Sequence, residues 1–419
     1  MAAFRPFDLN GIPIEHQPMA WTGIVNEPYD KMRIDAYTRT RIILMNGIEN
    51  NSVLTSHAMH RMCPDPEIKR QLAAIRRADS QHQQVINWLN PIEQSIIETT
   101  VAYEQVAVDL TANLARNEPD PYVRQTLDFA LLEDFDHLFR FSCLLELMEG
   151  KDPESITQGR TEIKPGRPTI IEHRHPDDSM RKHYDRNDAD IKTKLNYWTI
   201  TSGEQQTEVF YKSNGHMFAE PLPRLLYAEI AEIEEQHVTQ YGALGDPNET
   251  MLEKEALIQL NEAYLYYSNL QTETVHWMKP IWERLLADEI GHVAAVNDLL
   301  MAYEHRDVQD IMGGADRVDT LVVFEENKDY VNCVLEEQVD LAPVGRTMEY
   351  VRTRDLPDDW PSFLYQRRVN AGGVPSEMVV DRHGGALAQR ANDEPAQRAL
   401  REMNERAERA LGARVPIAR

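Results

Sequence analysis

Six histidines of this chain have a carboxylate three residues before them: Asp79/His82, Asp134/His137, Glu172/His175, Glu234/His237, Glu273/His276 and Glu289/His292. On a helix that spacing stacks both side chains on one face, where they can reach the same metal ion. The chain has 69 acids and 14 histidines among 419 residues. Chance therefore supplies roughly two such pairs, and six is an excess. The pair at 172–175 falls in a Pro-rich stretch and the pair at 273–276 at a helix junction, so both are set aside. The other four fall inside strongly helical sequence.

Their positions are regular. His82 to His137 spans 55 residues, and so does His237 to His292. Each of the first three histidines has a Glu 33 residues before it: Glu49, Glu104 and Glu204. The fourth has Gln259 there, which keeps the shape of a carboxylate but not its charge, and the nearest acid is Glu262. A shift of 155 maps Glu49, Asp79, His82, Asp134 and His137 onto Glu204, Glu234, His237, Glu289 and His292. This reads as an internal tandem duplication.

The elements that position these residues are helices. Between about residues 35 and 305 apolar residues recur at three and four. Breakers at 63–66, 90–91, 117–121, 219–223 and 245–248 divide that stretch. The pattern predicts helices at 35–62, 66–89, 92–116, 122–149, 188–217, 223–242, 250–270 and 277–305, paired as four hairpins. Glu49 and Asp79 are equidistant from one turn, Glu104 and Asp134 from the next, and Glu204 and Glu234 from the third. In an antiparallel hairpin such residues lie at one height. The expected organisation is an extension over 1–34, a first helical repeat over 35–150, a crossover or covering loop over 151–187, a second repeat over 188–306 and a C-terminal extension over 307–419.

Two hairpins together would offer four carboxylates and two imidazoles. With "YEQ" around Glu104, "EDFDH" at 133–137, "GEQQ" around Glu204, "EEQH" at 234–237 and "DEIGH" at 288–292, the chain resembles the ferritin-like superfamily of di-metal carboxylate proteins over residues 35–305. That resemblance implies an all-α fold of four-helix bundles, with a Glu from two helices and Glu-x-x-His from the other two. Asp79 and Asp134 depart from it, where Glu is usual. The central order also looks like that of di-iron oxygenases and ribonucleotide reductase small subunits. Carried over, the ligands fall on Glu104, Asp134, His137, Glu204, Glu234 and His237. The rival is one bundle per half. The first half would then use Glu49, Asp79, His82, Glu104, Asp134 and His137, and the second Glu204, Glu234, His237, Glu289, His292 and, weakly, Glu262. The pattern favours the central pairing, and remnants beside an active centre are one reading of the outer hairpins.

Such a ligand set suits iron, two per site, or manganese. The expected function is an O2- or peroxide-dependent oxidase, oxygenase or peroxidase. The alternatives are iron oxidation and storage, or a binding protein whose sites have decayed. A small organic substrate and an electron-donor protein are possible partners of such a site, and a homo-oligomer, a dimer, is expected. The net charge of −25 argues against nucleic acid, and no apolar run of 18 residues argues for a membrane span. Three scattered cysteines point to the cytoplasm. His57 and His60 read as surface, and Trp198 and "AYLYYSN" at 263–269 as bundle core. Residues 341–419 hold 13 Arg, no Lys and 11 acids. This basic tail, irregular apart from a helix near "DEPAQRALREMNERAERALG", reads as a docking or assembly segment.

Overall fold

The expected helices are present, with ends displaced by a few residues. They are α1 Ala36–Met62, α2 Pro66–Asn87, α3 Ile96–Asn117, α4 Pro121–Glu149, α5 Ile191–Asn214, α6 Pro221–Gly242, α7 Met251–Thr272 and α8 Lys279–Tyr303. The computed structural model describes residues 2–27 and 29–391, together with Pro395, Arg398, Arg401, Glu402 and Glu405, and it is mostly helical. Local sequence sets the starts. Asp35, Asp65, Asp120 and Asp190 cap α1, α2, α4 and α5 with their carboxylates. Ser95/Glu98 and Thr250/Glu253 form reciprocal capping boxes on α3 and α7. Each returning helix, α2, α4, α6 and α8, carries Pro in its first turn, where its missing N–H costs nothing.

The four hairpins α1–α2, α3–α4, α5–α6 and α7–α8 associate two by two. Hairpins two and three form one four-helix bundle, the central bundle. Hairpins one and four form the other, here the flanking bundle. The arrangement of one bundle per half does not occur. What decides this is tertiary. In each bundle the hairpins run in opposite senses, and the turn of one is bonded to the first turn of the other's leading helix. Thr38 Oγ1 donates to Glu273 at 2.8 Å, and Thr193 Oγ1 donates to Glu118 at 2.5 Å. Glu118 and Glu273 are 155 residues apart, as are Thr38 and Thr193, so the duplicated halves have exchanged hairpins. Glu273, set aside as a metal ligand, is this junction.

The bundles stack back to back. α1 and α7 of one face α3 and α5 of the other, with α1 against α5 at the centre. The outer layers are α2 with α8 on one side and α4 with α6 on the opposite side. Amides stitch the seam: Asn46 donates to Gln206 at 2.9 Å and Asn51 to Ser202 at 2.8 Å.

The duplication reaches beyond the helices. Residues 11–17 lie along α8, and residues 166–172 of the crossover lie along α4. Ile12 N donates to Ala287 O at 2.8 Å, and Arg167 N donates to Leu132 O at 2.9 Å. Both pairs are related by 155. Gly11 and Gly166 make the approach possible, since a Cβ on either would meet helix backbone. Gly291 does the same from the helix side, where a Cβ would collide with Ile12 O. The N-terminal extension and the crossover are thus equivalent parts of two repeats.

The C-terminal region is more ordered than expected. It contains α9 Lys328–Gln338, an antiparallel pair β1 Leu341–Val344 and β2 Glu349–Arg352, α10 Pro361–Val369 and α11 Pro375–His383. α11 packs on the outer face of α4 and α6. The assembly helix expected near 393–412 lies largely outside the described residues. No helix among the described residues is long and apolar enough to cross a membrane.

Candidate metal centres

Each bundle brings its mid-height residues to one buried point. In the central bundle Asp134, Glu204, Glu234 and His237 offer ligand atoms within 4.8 Å of one another, and so do Glu104, His137 and Glu234. Glu234 belongs to both groups and so could bridge two ions. Its Oε1 lies 3.0 Å from His137 Nδ1, and its Oε2 lies 3.2 Å from His237 Nδ1. In the flanking bundle one such group forms, from Glu49, Asp79, His82 and Glu289. Glu289 lies 2.8 Å from His82 Nδ1 and 2.9 Å from His292 Nδ1, and Asp79 is 3.3 Å from His292. The outer hairpins also bring their residues to one buried point. All eleven predicted residues fall into two clusters, five in the flanking bundle and six in the central one.

A shift of 55 superposes one cluster on the other in residue type. Glu49, Asp79, His82, Glu234, His237 and Tyr211 map onto Glu104, Asp134, His137, Glu289, His292 and Tyr266. The exception is Glu204, which maps onto Gln259. Each cluster thus holds one Asp-x-x-His and one Glu-x-x-His. The paired imidazoles are near-parallel in both, with ring centroids 5.8 Å apart in the flanking bundle and 6.1 Å in the central one.

All four histidines turn Nδ1 inward and Nε2 outward. The outward hydrogen-bond partners are Glu172 for His137 at 3.1 Å, Glu133 for His237 at 2.7 Å and Gln17 for His292 at 2.6 Å, whereas His82 Nε2 faces Asp288 at 3.5 Å without a hydrogen bond from the described residues. Such a partner fixes the ring and its tautomer, as it does for histidines that bind metals. Gln17 and Glu172 are delivered by the two equivalent non-helical segments, 155 residues apart. Glu133 is itself held by Arg174 at 2.5 Å and Arg167 at 3.2 Å. Two tyrosines complete the clusters. Tyr211 O–H donates to Glu104, and Tyr266 O–H donates to Glu49 at 2.5 Å.

Electrostatics give a test of fit. The cluster side chains are fully buried, which disfavours charge. Burial drives Glu104 and Asp134 well above the carboxylate range, and like charge from Glu234 and Glu204 adds to it. Burial likewise lifts Glu204 and Glu49 to about 7 and Asp79 to about 6. Glu234 and Glu289 resist burial because two histidines each hold them low, Glu289 at about 2. Burial alone would lower the imidazoles. Surrounding carboxylates overturn that and hold His82, His137 and His237 well above their ordinary value. Several oxygens take no hydrogen bond from the described residues: both of Asp134, Oε1 of Glu204, Oε2 of Glu104, Oε2 of Glu49 and Oδ1 of Asp79. Buried acceptors left unpaired are costly. Divalent cations would satisfy them, so the residues present fit a metal pair in the central bundle.

The flanking cluster is less regular on its α7 side. Gln259 Nε2 donates to Ser52 at 3.4 Å. Glu255 and Glu262, one turn to either side of it, are fully buried. Both are pushed up by burial, Glu255 to about 8. Residue type and spacing pointed to the inner ligands. They missed Gln17, Glu133, Glu172, Asp288, Tyr211, Tyr266 and Glu255. The 155-residue relation of Gln17 to Glu172 and the 55-residue relation of Tyr211 to Tyr266 were signals already present in the chain. Comparisons with family models, curated proteins and solved structures return no match.

Proposed function

We propose that the protein is a di-metal carboxylate oxidoreductase on two ferritin-like four-helix bundles, an oxidase, oxygenase or peroxidase that uses O2 or peroxide. The observation that carries this reading is the common orientation of the four histidines, Nδ1 into a carboxylate cluster and Nε2 outward, in three of them onto a hydrogen-bonded outer partner. Oxygen donors with one imidazole per ion suit iron or manganese. Four carboxylates in the central cluster balance two divalent charges. Bound there, iron or manganese would supply the electrons that reduce dioxygen or peroxide.

The chain's own residues do the rest. Tyr211 anchors Glu104 and keeps an O–H at the cluster. Glu133 and Glu172 accept from the imidazoles and make them stronger donors. A cavity of about 10 Å³, lined by Ile43, Tyr103, Val106, Leu110, Ile200 and Gly203, ends at Glu204 on the seam between bundles. That is the lower limit for a single water molecule, and its lining is mostly apolar. Electrons would come from a donor protein. The free cysteines Cys63, Cys143 and Cys333 suit a reducing cytoplasm.

Anaerobic loading with Fe(II) or Mn(II), followed by O2 addition, tests the reading. About two metals per centre and stoichiometric O2 uptake are expected. A chain that takes up neither metal overturns it. Glu255 and Glu262 favour a second reading, iron oxidation and storage, because they are buried acids beside the ligand set. Uptake of iron well beyond four per chain would select it.

A further inference from the structure

A groove of about 1410 Å³ runs along the outer face of the flanking bundle, between α2, α8 and the N-terminal segment. Its floor includes Ala74, Gly291, Ala295 and Met301. Moved back or forward by 155, these positions become Glu229, Asp136, Arg140 and Glu146 of the central bundle. There a helix fills the equivalent place. α11 is held by Glu229, which accepts from Ser376 N at 2.6 Å, by Arg140, which is 3.3 Å from Glu377, and by Glu146, which is 2.5 Å from His383. The groove is therefore helix-sized, and its floor has exchanged polar pins for small and apolar residues. Phe7 and Met301 stand about half exposed in it, at 48% and 51%.

We infer that this groove docks residues 396–411 of a second copy of this chain. In that segment Ala396, Leu400, Met403, Ala407 and Leu411 recur at helical spacing. Such a face matches a floor of Ala and Met. The charges also match. The groove is rimmed by Glu15, Glu67, Asp298 and Asp307 against Arg70. The segment carries four arginines, at 398, 401, 406 and 409, against three glutamates, in a chain of net charge −25. Arg398, Arg401, Glu402 and Glu405 are exposed.

The donor must be another molecule. The described chain reaches Ala391 just after α11, on the outer face of α4 and α6. The groove lies on the opposite outer face, across four helix layers. At about 9 Å per layer, the two docked positions are separated by roughly 45 Å. Five residues from Ala391 to 396 span at most about 18 Å. Docking is therefore head to tail between copies.

Light scattering on the full chain, with two variants, tests this. The wild type should exceed the 48.3 kDa of one chain. Ala295→Arg in the groove and Leu400→Asp in the tail should each reduce it to a monomer. An equimolar mixture of the two variants retains one intact groove and one intact tail, and it should give a heterodimer that grows no further. Circular dichroism shows whether each variant is folded, and Ala74→Arg serves as a second groove variant. A wild type of 48.3 kDa at all concentrations, assembly that survives both substitutions, or variants that fail to complement would overturn the proposal.

Discussion

The two bundles are built from the same hairpins, yet their centres are not equal. The central cluster has four inner carboxylates, and both of its histidines rest on acids, Glu133 and Glu172. The flanking cluster has Gln259 where the other has Glu204, and His292 rests on the neutral Gln17. Neutral partners leave an imidazole a weaker donor. A less anionic ligand set also stabilises high metal charge less. The comparison teaches that one scaffold can present two clusters of different charge and support, which differ at an inner position, at the outer partners and in the buried acids Glu255 and Glu262 beside the flanking one.

The largest expected effect comes from the two acids that each lie between a pair of histidines, Glu234 and Glu289. Glu234→Ala should empty the central centre and leave the flanking one loaded, and Glu289→Ala should do the reverse. Metal analysis of each variant checks this, and loss from both centres in either variant would break the independence of the bundles. Exchange at the odd position comes next. Glu204→Gln should weaken the central centre towards the flanking one, and Gln259→Glu should strengthen the flanking centre, both read by competition with a chelator. Outer partners are smaller. Glu172→Ala should cost roughly 10–100-fold in metal affinity, and Gln17→Ala less, because it removes a neutral group.

Protons sharpen the same comparison. Metal binding needs ionised carboxylates and neutral imidazoles. Without metal, burial holds Glu49 near 7 and Asp79 near 6, and carboxylates keep His82 protonated above its ordinary range. Binding therefore releases protons, and affinity at the flanking centre falls as pH drops through 7 and towards 6. Titrations at pH 8 and pH 6, in buffers of different ionisation enthalpy, measure both affinity and proton release. The smallest effect is steric. Gly203→Val, at the cavity beside Glu204, should slow reaction with O2 several-fold while metal content stays unchanged. Stopped-flow reoxidation reads it.

Much of this arrangement is legible along the chain. The helices follow from period, capping residues and Pro in the first turn, and the mid-height ligands follow from equidistance about each turn. Pairing of the hairpins was less legible, because it depends on contacts such as Thr38 with Glu273 that no local pattern announces. Glu172 was discounted because it lies in a Pro-rich stretch. That stretch is rigid where it matters: Gly166 seats it on α4, and Glu172 then meets His137. The groove's meaning emerges only when its floor is set against α11 on the other bundle.

The most direct test is the metal content of the anaerobically loaded wild-type chain beside Glu234→Ala. About four iron or manganese ions per wild-type chain are expected, falling to about two in the variant with the remainder on the flanking centre. Wild-type protein that binds no metal, or a variant that keeps the full complement, would contradict two independent di-metal centres.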